Sequence, residues 1–152
     1  MSITASGWFG LTLEKALIGT SFPTSGLESE TAVKMLLVND SYTPNFDTHD
    51  FRDDVTNEIA NGGGYTTGGT TLTSTEVTLS GGLLTYDVAD PSWTSSTIAS
   101  AMAGVTYFAR GGASSADELW ILSDFVTAVS TTNGTLLVQV NAAGLATIDY
   151  TP

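Results

Sequence analysis

From Thr70 onward the chain alternates short apolar runs with Gly, Asn, Asp and Ser at a spacing that suits strands joined by tight turns. Thr71 to Leu79 reads as one strand, and Ser80-Gly81-Gly82 as the connection to a second, Leu83 to Val88. In that second strand Leu84, Tyr86 and Val88 share one face, so the two runs form a hairpin. Asp90-Pro91-Ser92-Trp93-Thr94 reads as a turn carrying a large aromatic. Val105 to Ala109 is the next strand and ends at Arg110-Gly111-Gly112. Leu119 to Val126 is apolar enough to lie centrally in a sheet. Asn133-Gly134 is a favoured turn pair, followed by the alternating run Leu136 to Val140 and a last strand from Leu145 to Tyr150. This pattern predicts a mainly β fold, an antiparallel β-sandwich or small barrel of about seven strands with one or two short helices.

The first half carries the helical signals. Trp8 to Gly19 reads as a helix with Ser6 as its cap and Gly19 as its stop. It is apolar on nearly every side, which suits a lid over the open end of a sandwich or a segment buried between neighbours. Trp8, Phe9, Leu11, Leu13 and Leu17 are its candidate interface residues, because aromatic and large apolar groups dominate binding hot spots. Met1 to Gly7 reads as an arm and Thr20 to Glu30 as a loop. Residues 1–30 are therefore expected to form an N-terminal arm, short helix and loop, and residues 31–152 a single β-rich domain opening on the central strand Val33 to Val38. A second helix is expected after Asp47 or Thr48 as cap. There Phe51, Val55 and Ile59 make an i, i+4, i+8 stripe, and Gly62 to Gly64 end it.

Composition limits the partners. Sixteen acids against Lys15, Lys34, Arg52 and Arg110 give a net charge of −12. Such a surface repels phosphate and anionic lipid, which argues against direct nucleic-acid or membrane binding and favours a basic protein surface as partner. Cysteine is absent, so disulfides and thiolate metal sites are excluded. Residues 1–20 have no basic start of a secretory signal, and no apolar run reaches the ~20 residues that span a bilayer. A soluble protein made in the cytosol is expected.

Each candidate site has a plainer reading beside it. His49 with Asp47 and Asp50 suggests a metal site or a general base, but a lone histidine lacks the second imidazole or thiolate of a zinc site. Asp47, Asp50, Asp53, Asp54 and Glu58 lack the oxygen spacing of a calcium loop, so a solvated face is the first reading and a docking patch for Lys or Arg the second. Gly62 to Gly69 lacks the Gly-Lys-Thr/Ser ending of a phosphate loop and runs towards a strand, so its glycines are expected to bend the chain at a sheet edge. No nucleophile elbow is present, and no two carboxylates stand out as a glycosidase pair. Trp8, Trp93 and Trp120 are candidates for stacking on sugars, Trp93 first among them, with core packing as the simpler account. No catalytic residue, cofactor or metal is assigned.

The order of features resembles a family of small structural proteins from tailed bacteriophages. The likeness runs through Val33 to Val38, Tyr42-Thr43-Pro44, Asp47-Thr48-His49-Asp50, Asp53-Asp54-Val55 and Asn57-Glu58-Ile59. It continues through Gly64 to Leu72, Asp90-Pro91-Ser92-Trp93 and the late apolar strand before Asn133-Gly134. The resemblance implies a virion protein of the capsid decoration (cement) type. Such a protein binds the major capsid protein on the outside of the assembled head as a homo-oligomer, taken here as a trimer. The alternative it leaves open is a tail-associated or receptor- and glycan-binding module. A small hydrolase dependent on His49 is a third, weaker reading.

Overall fold

The computed structural model describes residues 3–20 and 26–151, so part of the expected loop from Thr20 to Glu30, at 21–25, lies outside the described residues. The fold is mainly β, with antiparallel sheets and one α-helix. The strands are β1 (Gly7–Trp8), β2 (Val33–Val38), β3 (Thr70–Thr71), β4 (Glu76–Ser80) and β5 (Leu83–Asp87), then β6 (Ser92–Ser96), β7 (Ala101–Phe108), β8 (Leu119–Val129), β9 (Gly134–Leu137) and β10 (Ala146–Asp149). The helix α1 (Gly10–Leu17) follows β1. A five-stranded sheet runs β1-β8-β7-β2-β3, a three-stranded sheet β10-β5-β4, and β6 pairs with β9.

The five-stranded sheet is covered on both faces, which explains why β2 and β7 read as near-continuous apolar runs. Val33, Met35 and Leu37 of β2 face a core shared with Tyr86, Trp93 and Leu136 of the smaller sheets and with Val88 just after β5. Leu36 and Val38 point the other way, into a core with Ile3, Phe9, Tyr42, Val105 and Tyr107. Every residue of β7 is buried. A side-chain period of two places alternate residues in the two cores, so no position of β7 is left for solvent. Gly104 in β7 has a local reason: a Cβ there would lie 2.6 Å from Met35 Sδ across the strand pair.

Two irregularities interrupt the β7–β8 ladder. Thr106 pairs with Ile121 but Tyr107 with Leu119, so Trp120 is an extra residue. That bulge lets Trp120 and Ile121 enter the same core despite being neighbours. Farther along, Ala103 pairs with Asp124 and Ala101 with Val129. Residues 125–128 therefore arch outward opposite Met102.

Several expectations are corrected. The helix expected from Asp47 is a single 3-10 turn, Arg52–Asp54. Tertiary partners take the backbone of this stretch instead: Phe51 bridges Glu118, Glu58 bridges Val38, and the Ile59 amide donates to the Leu37 carbonyl at 2.8 Å. The expected strand Thr71 to Leu79 is two strands, interrupted where Ser74 adopts φ 51°. The expected turn around Trp93 is strand β6, held against β9. The segment before α1 is no free arm, since Ile3 is buried and Gly7–Trp8 pairs with β8. Phe9 stands at the helix N-cap, while Ser6 Oγ accepts the Asp124 amide at 2.8 Å.

Candidate functional site

The polar residues of the opening half converge on one seam between loop 47–69 and strands β7 and β8. Asp54 accepts the amides of Asp50 and Phe51 at 3.0 and 3.2 Å, which fixes the 3-10 turn from inside. Arg52 then points at Tyr107, with its guanidinium 3.2 Å from the hydroxyl and 5.3 Å from the ring centroid. The same Arg52 pairs with Asp117 at 3.4 Å. Asp117 also accepts the Arg110 amide at 2.8 Å, and Arg110 ion-pairs with Glu118. The Tyr107 hydroxyl donates to the Gly68 carbonyl at 2.8 Å. Burial pushes the Tyr107 phenol up, and Arg52 partly offsets this. The Tyr65 hydroxyl donates to Glu58 at 2.8 Å and accepts the Leu37 amide at 3.0 Å. Burial raises this phenol too, against the bond from Leu37 and with the Glu58 charge adding to the rise.

Lys15 of α1 ion-pairs with Asp50, itself only 8% exposed, and lies 5.1 Å from the Phe51 ring centroid. Three of the four cations are thus engaged by acids of their own chain. The remaining acids dominate the outer field. Of the acidic stretch only Asp50 belongs to these pairs, and it ties the loop to α1, while Arg52 ties the loop to Asp117 just before β8.

His49 accompanies this seam. Its Nδ1 lies 3.0 Å from the Tyr42 hydroxyl, and the two rings stack at 5.9 Å. Burial and the charge of Asp54 raise the Tyr42 phenol. Among the described residues no three His, Asp or Glu side chains converge as a metal site. Of the glycines in residues 62–69, Gly63 and Gly64 lie against β6 and the residue after it: the Thr97 amide donates to Gly63 O at 2.6 Å, and a Cβ on Gly64 would meet Ser95 O at 2.8 Å.

The residues expected at an interface separate into three groups. Phe9 is buried at 1% exposure against Phe46, 5.3 Å between centroids, and Trp93 at 5% lies beside Tyr65 at 6.2 Å. The Trp93 ring is therefore unavailable for stacking on a sugar, and Trp120 is buried as well. Trp8, Leu11 and Leu13 are half-buried; Trp8 Nε1 donates to Thr147 O at 3.2 Å. Leu17 alone of the set stands in solvent, at 81% exposure, with Ile18 beside it at 64%. An open cleft of about 570 Å³ lies next to this helix end, lined by Gly19, Thr20, Phe51, Arg110 and Glu118 among others. The sequence reading placed Ile18 in the apolar helix but did not name it among the interface residues, although it directly follows Leu17. It also missed the exposed Val126 and Leu137, which it placed in the strands Leu119 to Val126 and Leu136 to Val140, and Val129, which it placed in no element.

Comparison with family models, with curated proteins and with solved structures returned no match.

Proposed function

We propose that this chain is a capsid decoration protein of a tailed bacteriophage, binding the major capsid protein on the outer surface of the assembled head. The observation that carries the reading is the end of α1, where Leu17 and Ile18 stand exposed on a helix that Lys15 and Asp50 fasten to the body. A rigid apolar tip of this kind docks with little loss of conformational entropy. The likeness of Val33–Val38, Asp47–Asp50 and Asp90–Trp93 to small phage virion proteins supports the reading. So does the net charge of −12, which favours a basic face on the shell. Contact with the shell stabilises it as any ligand stabilises the state it binds.

The experiment is co-sedimentation of purified protein with undecorated capsids. The wild type is expected in the capsid pellet. The double substitution Leu17→Asp, Ile18→Asp is expected to weaken binding by about tenfold or more, with an unchanged circular dichroism spectrum. Folded wild-type protein that stays in the supernatant contradicts the proposal.

A further inference from the structure

The charges of this chain are unevenly placed. From Phe125 to Ile148 there is no Asp, Glu, Lys or Arg, and from Pro91 to Ala109 there is none either. The fold brings these two stretches together, because β6 pairs with β9 and the outer end of β8 lies across a cleft from β9. That cleft, about 300 Å³, is lined by Phe125, Val129, Leu136, Leu137 and Val138. Asp124 also lines it, and its carboxylate accepts the Val126 amide at 2.8 Å. Val129 and Leu137, which line it, are 40% and 51% exposed, and Val126 in the adjoining arch is 79% exposed. In a chain of net charge −12 this is a largely apolar face, with Asp124 as its one charged lining residue.

Two further observations single it out. Val126 has φ 64°, a left-handed conformation that a β-branched residue adopts only under constraint. The arch of residues 125–128 thus holds a strained valine outward in solvent, and such strain gathers at functional surfaces. Strand β9 pairs with β6 alone among the described strands, and Gly134 to Leu137 contains no Lys or Pro, the usual guards of an open sheet edge.

We propose that this face, β9 with the outer end of β8, is where two copies of the chain associate. The charge distribution selects a second copy as occupant. A basic partner gains little from a face with Asp124 as its one acid, whereas two copies that each carry −12 approach with least repulsion where each presents few charges. The contact places the apolar side chains of the arch and of Leu137 against the same patch of the partner copy, a self-complementary arrangement. The open edge of β9 supplies main-chain donors and acceptors. This inference does not depend on the capsid reading, and its test uses no capsid.

The test is sedimentation velocity of the full chain over a concentration series, at low and high salt. Association is expected, and it is expected to tighten with salt, because screening removes the repulsion between the remaining acids. Leu137→Asp is expected to weaken the dissociation constant by about tenfold or more. Val126→Gly is the companion variant: glycine accepts the left-handed φ, so the fold is kept and its melting temperature, measured where the wild type is dissociated, holds or rises while association weakens. Leu79→Asp, at another exposed leucine on β4, is expected to leave association unchanged. A wild type that stays monomeric at every concentration overturns the proposal. So does association that salt weakens, or a loss in Leu79→Asp equal to that in Leu137→Asp.

Discussion

Replacing Gly69 by alanine is expected to cost about 4 kcal/mol or more, enough to leave much of the protein unfolded at ordinary temperature. Gly69 has φ +71°, and a Cβ built on it would lie 1.8 Å from the Met35 carbonyl oxygen and 2.6 Å from the Leu36 Cα. Those atoms belong to β2, which is buried between β7 and β3 and has no room to retreat. The loop would have to lift off the sheet, taking with it the Tyr107–Gly68 bond and the Glu58–Tyr65 bond. Gly81 provides the control. Its φ of +58° is similar, but nothing lies within 4 Å of a Cβ there, so Gly81→Ala should cost only the backbone term of about 1–2 kcal/mol. Urea denaturation of both variants, read by circular dichroism, measures the difference. Equal costs would show that loop 60–69 is free to move away from β2.

The second large effect is a steep loss of stability in alkali. Tyr42, Tyr65 and Tyr86 are each buried to within 2% of complete, and burial is the first cause that raises each phenol in the folded protein. The sign follows from linkage. A phenol whose folded value lies above its unfolded value of about 10 stays protonated in the fold after the unfolded chain has begun to ionise. Its contribution is fully present below pH 10 and is lost as pH rises towards the folded value. Each such group removes about 1.4 kcal/mol per pH unit, so the three together lower stability by about 4 kcal/mol per unit above pH 10. Tyr107, also raised, acts in the same direction. Denaturation midpoints across that range, followed in parallel with tyrosinate absorbance, should show buried phenols ionising only as the protein unfolds. Three buried phenols titrating near 10 in a folded protein would contradict this description of the core.

The elements legible in the sequence are those whose determinants are local. Val33 to Val38 was expected with the bounds that β2 has, because an uninterrupted apolar run allows few other fates. The Leu83 hairpin and the turn at Asn133 were legible from their turn residues, and Asn133 does sit at φ 48°. The failures share one cause, which is a partner far away in sequence. Phe51, Val55 and Ile59 have helical spacing, yet Phe51 pairs with Glu118 and Ile59 bonds Leu37, so the stripe is a coincidence of separate long-range contacts. Pro91 and Ser92 beside Trp93 look like a turn, but β9 provides a strand partner and Tyr65 an aromatic neighbour. The arch at 125–128 depends on register with β7, which no local pattern encodes.

The candidate site was legible to a similar degree. Leu17 was readable as an apolar residue at the end of a helix, whereas Phe9 belongs to the core for reasons that only Phe46 and the sheet beneath it reveal. The ion pairs were not legible, since Lys15 with Asp50 and Arg52 with Asp117 join residues distant in the chain. Their effect on function is indirect. By engaging most of the cations within the molecule they leave an acidic exterior broken by apolar places, among them the tip of α1, the face of β9, and Leu79, Leu83 and Tyr150 on the three-stranded sheet and its flank. The first is the proposed contact with a capsid and the second the proposed contact with another copy of the chain.

The most direct test of the proposed function is an image of a phage particle that carries this chain, at a resolution that separates strands. The decoration reading predicts copies of this ten-stranded body on the outside of the head, each with the Leu17–Ile18 end of α1 turned towards the shell. Bodies confined to the tail, or seated on the head with that helix end facing solvent, would contradict it.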